Sequence, residues 1–93
     1  GCNPMGMCYV TGFGSESTKH PHHRPSGALK TLMPGMLAGG PAEGLVDPTI
    51  KEAYSGRNIA PLNCYLDHIH SYSSNEVAIY WNSPFVLLCA CCM

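Results

Sequence analysis

The stretch YLDHIHSYSSNEVAIYWNS, Tyr65 to Ser83, carries two of the chain's six acidic side chains, Asp67 and Glu76, nine positions apart among tyrosines and a tryptophan. Its second half holds the strongest local signal in the sequence. Ser73, followed three residues later by Glu76, is the pattern of a capping box, in which the serine oxygen accepts from a backbone amide and the glutamate reaches back to the cap. From there Val77, Ala78, Tyr80, Trp81, Phe85, Val86, Leu88 and Cys89 recur at three- and four-residue steps, and Ile79 and Leu87 fill the opposite side. The periodicity predicts a helix that begins near Asn75, is apolar nearly all round, and is buried inside a larger body. Pro84 removes a donor from its interior, so a kink or a division into two segments is expected. Glu76 then reads either as a helix cap or as a reactive acid, and Asp67 either as a turn residue or as its chemical partner.

Outward from this stretch the sequence is punctuated rather than periodic. Ten glycines and eight prolines in 93 residues imply many turns and few long elements. Thr11 to Ala28, TGFGSESTKHPHHRPSGA, has no apolar period and reads as an extended ordered loop. Leu32 to Cys64 continues in turns, with one short helix over Pro48 to Tyr54, where Asp47 caps and Pro48 takes the first helical position. One buried helix and two long loops leave no second layer to cover the helix, although a domain needs at least two. The pattern is that of part of a larger body.

Composition narrows the class further. A chain of 93 residues makes at most one domain, with a thin core. Charged residues are 12%, about half the usual share. Five basic and six acidic residues are scattered without a run, for a net charge of -1; nothing attracts a phosphate backbone or an anionic lipid surface, and nucleic acid is excluded as a partner. Val77 to Met93 falls short of the roughly 20 residues that span a bilayer and contains Asn82, Ser83 and Pro84, so no membrane segment is expected. No secretory leader pattern opens the sequence. The six cysteines, Cys2, Cys8, Cys64, Cys89, Cys91 and Cys92, read as structural or incidental thiols rather than a disulfide framework.

Two constellations can carry chemistry. HPHHR supplies His20, His22, His23 and Arg24, and DHIH supplies His68 and His70. Histidines two apart point the same way along an extended chain, so His20, His22, His68 and His70 compose a conceivable four-histidine metal site. The same residues also read as loop side chains, or as a polar rim that donates to sugar hydroxyls. In the other constellation, Asp67 and Glu76 lie on either side of Tyr72, with Tyr65, Tyr80 and Trp81 near in sequence. Two carboxylates beside aromatic surface suit glycoside hydrolysis, which uses one as acid and one as base or nucleophile. An apolar surround would keep the acid protonated near neutrality.

Read together, NPMGMCYVTGFGSESTKHPHHRPSGA (3–28), PGMLAGGP (34–41) and YLDHIHSYSSNEVAIYWNSP (65–84) strongly resemble, in that order, the C-terminal part of the catalytic domain of glycoside hydrolase family 9, the endoglucanase family of cellulases. The specific motifs are V-T-G-x-G, the H-x-R after it, and an aromatic-x-D-x4-aromatic-x3-E-x-A-x3-N-S string matched without a gap. The resemblance implies an all-α fold, the C-terminal portion of an (α/α)6 barrel spanning residues 1–93. It also implies hydrolysis of β-1,4-glucans such as cellulose and cello-oligosaccharides with inversion, secretion, and no metal or other cofactor. Glu76 falls at the family's general acid and Asp67 at the other acidic active-site position. His22 and Arg24 match the H-x-R that lines the cleft and holds sugar hydroxyls, His22 next to the scissile bond, and Tyr72 matches an aromatic suited to stacking on a sugar.

The family's base, an aspartate in an acidic motif near the N-terminal end of its domain, has no counterpart among Glu16, Glu43, Asp47 and Glu52. The expectation is therefore a portion of a cellulase domain, lacking its N-terminal part and without turnover alone. The tail LLCACCM departs from the family pattern, and His20, His23, His68 and His70 receive no role from it. A non-catalytic histidine- and cysteine-rich metal-binding module, organised by His20, His22, His68 and His70, is the rival reading.

Overall fold

Ordinary backbone chemistry places a short helix at Pro48–Ala53, where the sequence puts one. The computed structural model describes residues 3–93, so Cys2 lies outside the described residues. Its helices are α1 (Arg24–Leu29), α2 (Pro48–Ala53), a 3-10 turn (Pro61–Asn63), α3 (Tyr72–Asn75) and α4 (Ile79–Cys91). The amide of Ile50 donates to Asp47 Oδ1 at 2.8 Å, and Pro48 occupies the first turn, where its missing N–H costs nothing. The other carboxylate oxygen, Oδ2, accepts from the Ser71 hydroxyl at 2.9 Å, the Ser73 amide at 3.2 Å and the Ser73 hydroxyl. Asp47 is fully buried, and it joins α2 to α3 through hydrogen bonds to a charge, which are worth about 1.5–3 kcal/mol each.

Among the described residues there is no strand, only four isolated bridges that set short extended stretches side by side. Ser17 pairs with Cys8, Val10 with Leu37, Ala38 with Val77, and Glu76 with His22. Thr11 and Gly12 of the V-T-G-x-G motif turn the chain inside this arrangement. Buried Thr11 donates its hydroxyl to the Met33 carbonyl at 2.6 Å and accepts from the Met36 amide at 3.0 Å. Gly12 has φ +77°, and a Cβ there would come 2.7 Å from Pro34 Cβ, so both conformation and space require glycine.

Several sequence expectations are corrected. The capping box does not form: Ser73 lies inside α3, its hydroxyl turned to Asp47, and Glu76 is extended (φ -72°, ψ 143°). A buried carboxylate 26 residues away holds the serine in place of the local backbone. Helix α4 starts at Ile79 rather than near Asn75, from Ala78 without a side-chain cap, and runs unbroken past Pro84. The proline removes only the N–H that would reach the Tyr80 carbonyl. Nor is α4 buried, since Ile79 is 87% and Leu87 66% exposed, because no two helices pack against one another among the described residues. The expected loop from Thr11 to Ala28 also contains most of α1, which has no apolar signature because none of its residues is buried. The five described cysteines are free thiols, Cys64 buried and Cys89, Cys91 and Cys92 exposed. No helix among the described residues is long and apolar enough to cross a membrane.

Burial works to raise the Asp47 pKa, but the hydroxyls of Ser73 and Ser71 and the amides of Ile50 and Ser73 outweigh it, leaving the carboxyl below its ordinary value. A carboxylate with a depressed folded pKa stabilises fully above its unfolded pKa of about 3.9 and loses that contribution as pH falls through the folded value. Urea unfolding should therefore show Asp47→Ala destabilised by roughly 2–4 kcal/mol at neutral pH through the lost cap and stranded hydroxyls. As pH falls below the ordinary carboxylate range and through the depressed value, the gap between variant and parent should narrow.

Candidate functional site

Two segments far apart in sequence form one wall. The amide of His22 donates to the Asn75 carbonyl at 2.8 Å, and a parallel bridge sets His22 beside Glu76. On the other side of the Glu76 stretch, Gly39 donates to the Glu76 carbonyl and Gly40 to the Ser74 carbonyl, both at 2.9 Å. Glu76 is thus fixed through its backbone from both flanks while its half-buried side chain makes no hydrogen bond among the described residues.

The imidazole of His22 is oriented as well. Its Nδ1 lies 2.5 Å from the Ile69 carbonyl oxygen. A carbonyl only accepts, so Nδ1 carries a proton and the ring turns Nε2 away from this bond. The Tyr72 ring meets it edge-on with centroids 6.2 Å apart and is itself 47% exposed. Arg24, the first residue of α1, is exposed and forms no ion pair among the described residues. His22, Tyr72 and Glu76 are therefore brought together, and Arg24 follows two residues along the same segment. A nearby hollow of about 380 Å³, lined by Lys19, His20, Ser26, Lys30 and Ile69 among others, includes none of the four.

Asp67 is placed differently. Its Oδ1 accepts from the His20 amide at 2.8 Å, the Thr18 hydroxyl at 2.9 Å and the Asn75 side-chain amide at 3.1 Å, while Oδ2 accepts from the Lys19 amide at 2.8 Å. Burial pushes its pKa up, but the amides of His20 and Lys19 with Thr18 and Asn75 more than offset this, and the carboxyl sits below its usual value. Asn75, fully buried, also donates to the His20 carbonyl at 2.8 Å, and its Oδ1 accepts from the Tyr65 hydroxyl. Burial raises the Tyr65 phenol well above its ordinary value, so it stays a neutral donor. Sequence reasoning missed Thr18 and Asn75, because their partners carry no local mark, and it gave Asn82 no role although the motif string contains it.

His68 and His70 lie with ring centroids 5.4 Å apart, yet no group of three or more histidine, cysteine, aspartate or glutamate side chains able to hold a metal occurs among the described residues. The four-histidine arrangement is not assembled.

A backbone bridge thus sets a half-buried acidic residue beside an oriented imidazole, on segments that the Asp67 network joins. The chain belongs to glycosyl hydrolase family 9, whose sequence profile matches residues 1–89. It is 46% identical over 88 residues to a cellodextrinase of Butyrivibrio fibrisolvens, covering 92% of this chain and 16% of that protein. It is also 46% identical over 90 residues to a xyloglucan-specific endo-beta-1,4-glucanase of Bacteroides ovatus, covering 95% and 14%. Among solved structures it resembles a thermostable endoglucanase of Alicyclobacillus acidocaldarius, with TM-score 0.82 and 50% identity over 92% of this chain and 16% of that one. The chain therefore spans about one-sixth of the length of these relatives.

The geometry of His22 is checked by nitrogen-15 NMR of the histidine ring: the neutral side chain should be the Nδ1–H tautomer. A dominant Nε2–H form would contradict the orientation described here.

Proposed function

We propose that this chain forms one wall of the active cleft of an inverting endo-β-1,4-glucanase, with Glu76 as general acid. The observation that carries the reading is the parallel bridge that seats Glu76 beside the oriented His22. Glu76 delivers its proton to the glycosidic oxygen as the bond to the anomeric carbon breaks, and a water activated on the opposite face attacks that carbon, giving an inverted hemiacetal. His22 Nε2 and Arg24 meet sugar hydroxyls, and Tyr72 offers its ring as a stacking surface.

Asp67, for which the family motif suggests an active-site role, acts in this reading as a positioning residue. Four donors hold its oxygens and keep it ionised, which suits neither proton donation nor the activation of a distant water. Asp47 is likewise enclosed by serines and the α2 amide. The base, about 6.5–9.5 Å from the acid in inverting enzymes, then comes from the remainder of a domain of the relatives' length. In such a domain, an (α/α)6 barrel secreted to reach its polymer, the exposed apolar residues of α4 meet a covering layer. Supporting this substrate class, relatives are named cellodextrinase and endo-beta-1,4-glucanase, and one solved structure similar to this chain holds a cellobiose-like isofagomine.

In a catalytic domain of the relatives' length containing this chain, Glu76→Gln should lower kcat on cello-oligosaccharides by about 100- to 10,000-fold, with binding measured calorimetrically unchanged within a few-fold. An unaltered rate would place the acid elsewhere. The 93-residue chain by itself should release no reducing ends from carboxymethylcellulose, and measurable release would contradict the division of acid and base.

A further inference from the structure

Asn82 stands in the first turns of α4, where asparagine contributes little to helix stability. Its side-chain amide nevertheless makes three hydrogen bonds. Oδ1 accepts from the Leu37 amide at 2.8 Å, and Nδ2 donates to the Leu37 carbonyl at 3.1 Å and to the Ala78 carbonyl at 2.9 Å. Donor and acceptor together satisfy both backbone groups of Leu37 on one side, much as a neighbouring strand would.

The clip closes a small ring of structure around the acid. From Asn82 it passes to Leu37 and along the chain to Gly39, whose amide holds the Glu76 carbonyl at 2.9 Å. From Glu76 it returns through the bridge of Val77 with Ala38 and the first turn of α4. The Trp81 ring lies on Gly39, where an added Cβ would come 2.9 Å from a ring carbon, so a larger residue does not fit there without moving the tryptophan.

We infer that Asn82 is a positioning residue for proton delivery: its amide locks the Leu37–Gly39 segment to the start of α4 and thereby sets the place of Glu76. The inference rests on Glu76 being the general acid. Asparagine is specified because aspartate, of the same size, would face two carbonyls without a donor. An error of about 1 Å in a reacting group costs roughly 100-fold.

The test uses a catalytic domain of the relatives' length and two substrates, cellotetraose and a dinitrophenyl cellobioside whose leaving group departs without a proton. Asn82→Asp should lower kcat on cellotetraose by about 100-fold, leave KM within about two-fold, and lower kcat on the dinitrophenyl substrate by less than ten-fold. Asn82→Ser, which keeps a small donor and acceptor, should show the same selectivity at smaller amplitude, and it serves if the aspartate variant does not fold. Equal losses on both substrates, or a loss in KM alone, would overturn the inference. Glu76→Gln run beside them separates the two claims: if it too shows no leaving-group dependence, the assignment of the acid fails; if it alone shows dependence, only the role of Asn82 fails.

Discussion

Four donors converge on the Asp67 carboxylate from two distant stretches of chain, Thr18 to His20 and Asn75. This convergence has to supply what apolar burial does not. Among the described residues the buried apolar side chains are Ala38, Ile50, Cys64 and Tyr65, whereas Thr11, Thr18, Asp47, Ser71, Ser74 and Asn75 are buried polar groups. Apolar area is indifferent to register, but a carboxylate that accepts two successive amides and a side-chain amide fixes the segments it joins to within a fraction of a residue. The arrangement is also fragile, because each partner removed leaves a buried group unpaired at about 1–3 kcal/mol.

The three carboxylates nearest this network thus divide by direction. Asp47 and Asp67 turn inward and are consumed by amides and hydroxyls. Glu76 is gripped only by its backbone, which leaves its side chain available. Asn75 links the two kinds. Its side chain belongs to the Asp67 network, its carbonyl receives the His22 amide, and the next residue is the acid. Membership in glycosyl hydrolase family 9 fits a wall of this kind, whose rigidity is local and whose apolar surface along α4 lies open.

What could be read from the sequence was what depends on near neighbours. Asp47 followed by Pro48 announced α2, and the many glycines announced turns, one of which is at Gly12 with φ +77°. The apolar run announced α4. The failures share a cause. Ser73 and Glu76 have the spacing of a capping box, but the serine's partner is Asp47, 26 residues upstream. The network around Asp67 was equally invisible, because two of its donors are backbone amides 47 and 48 residues away, which have no residue identity to read. Burial of α4 was inferred from hydrophobicity, which specifies that a face wants cover and not what covers it.

The central claim is that the Asp67 network holds the His22 segment against the Glu76 segment. Amide hydrogen exchange in Asp67→Asn tests it most directly. The account predicts that protection falls together at Lys19, His20 and His22 while Gly35, bonded to Thr11 on the other side of the structure, keeps its own. Protection lost at Lys19 and His20 but retained at His22 would show that the pairing of His22 with Glu76 is held by something else.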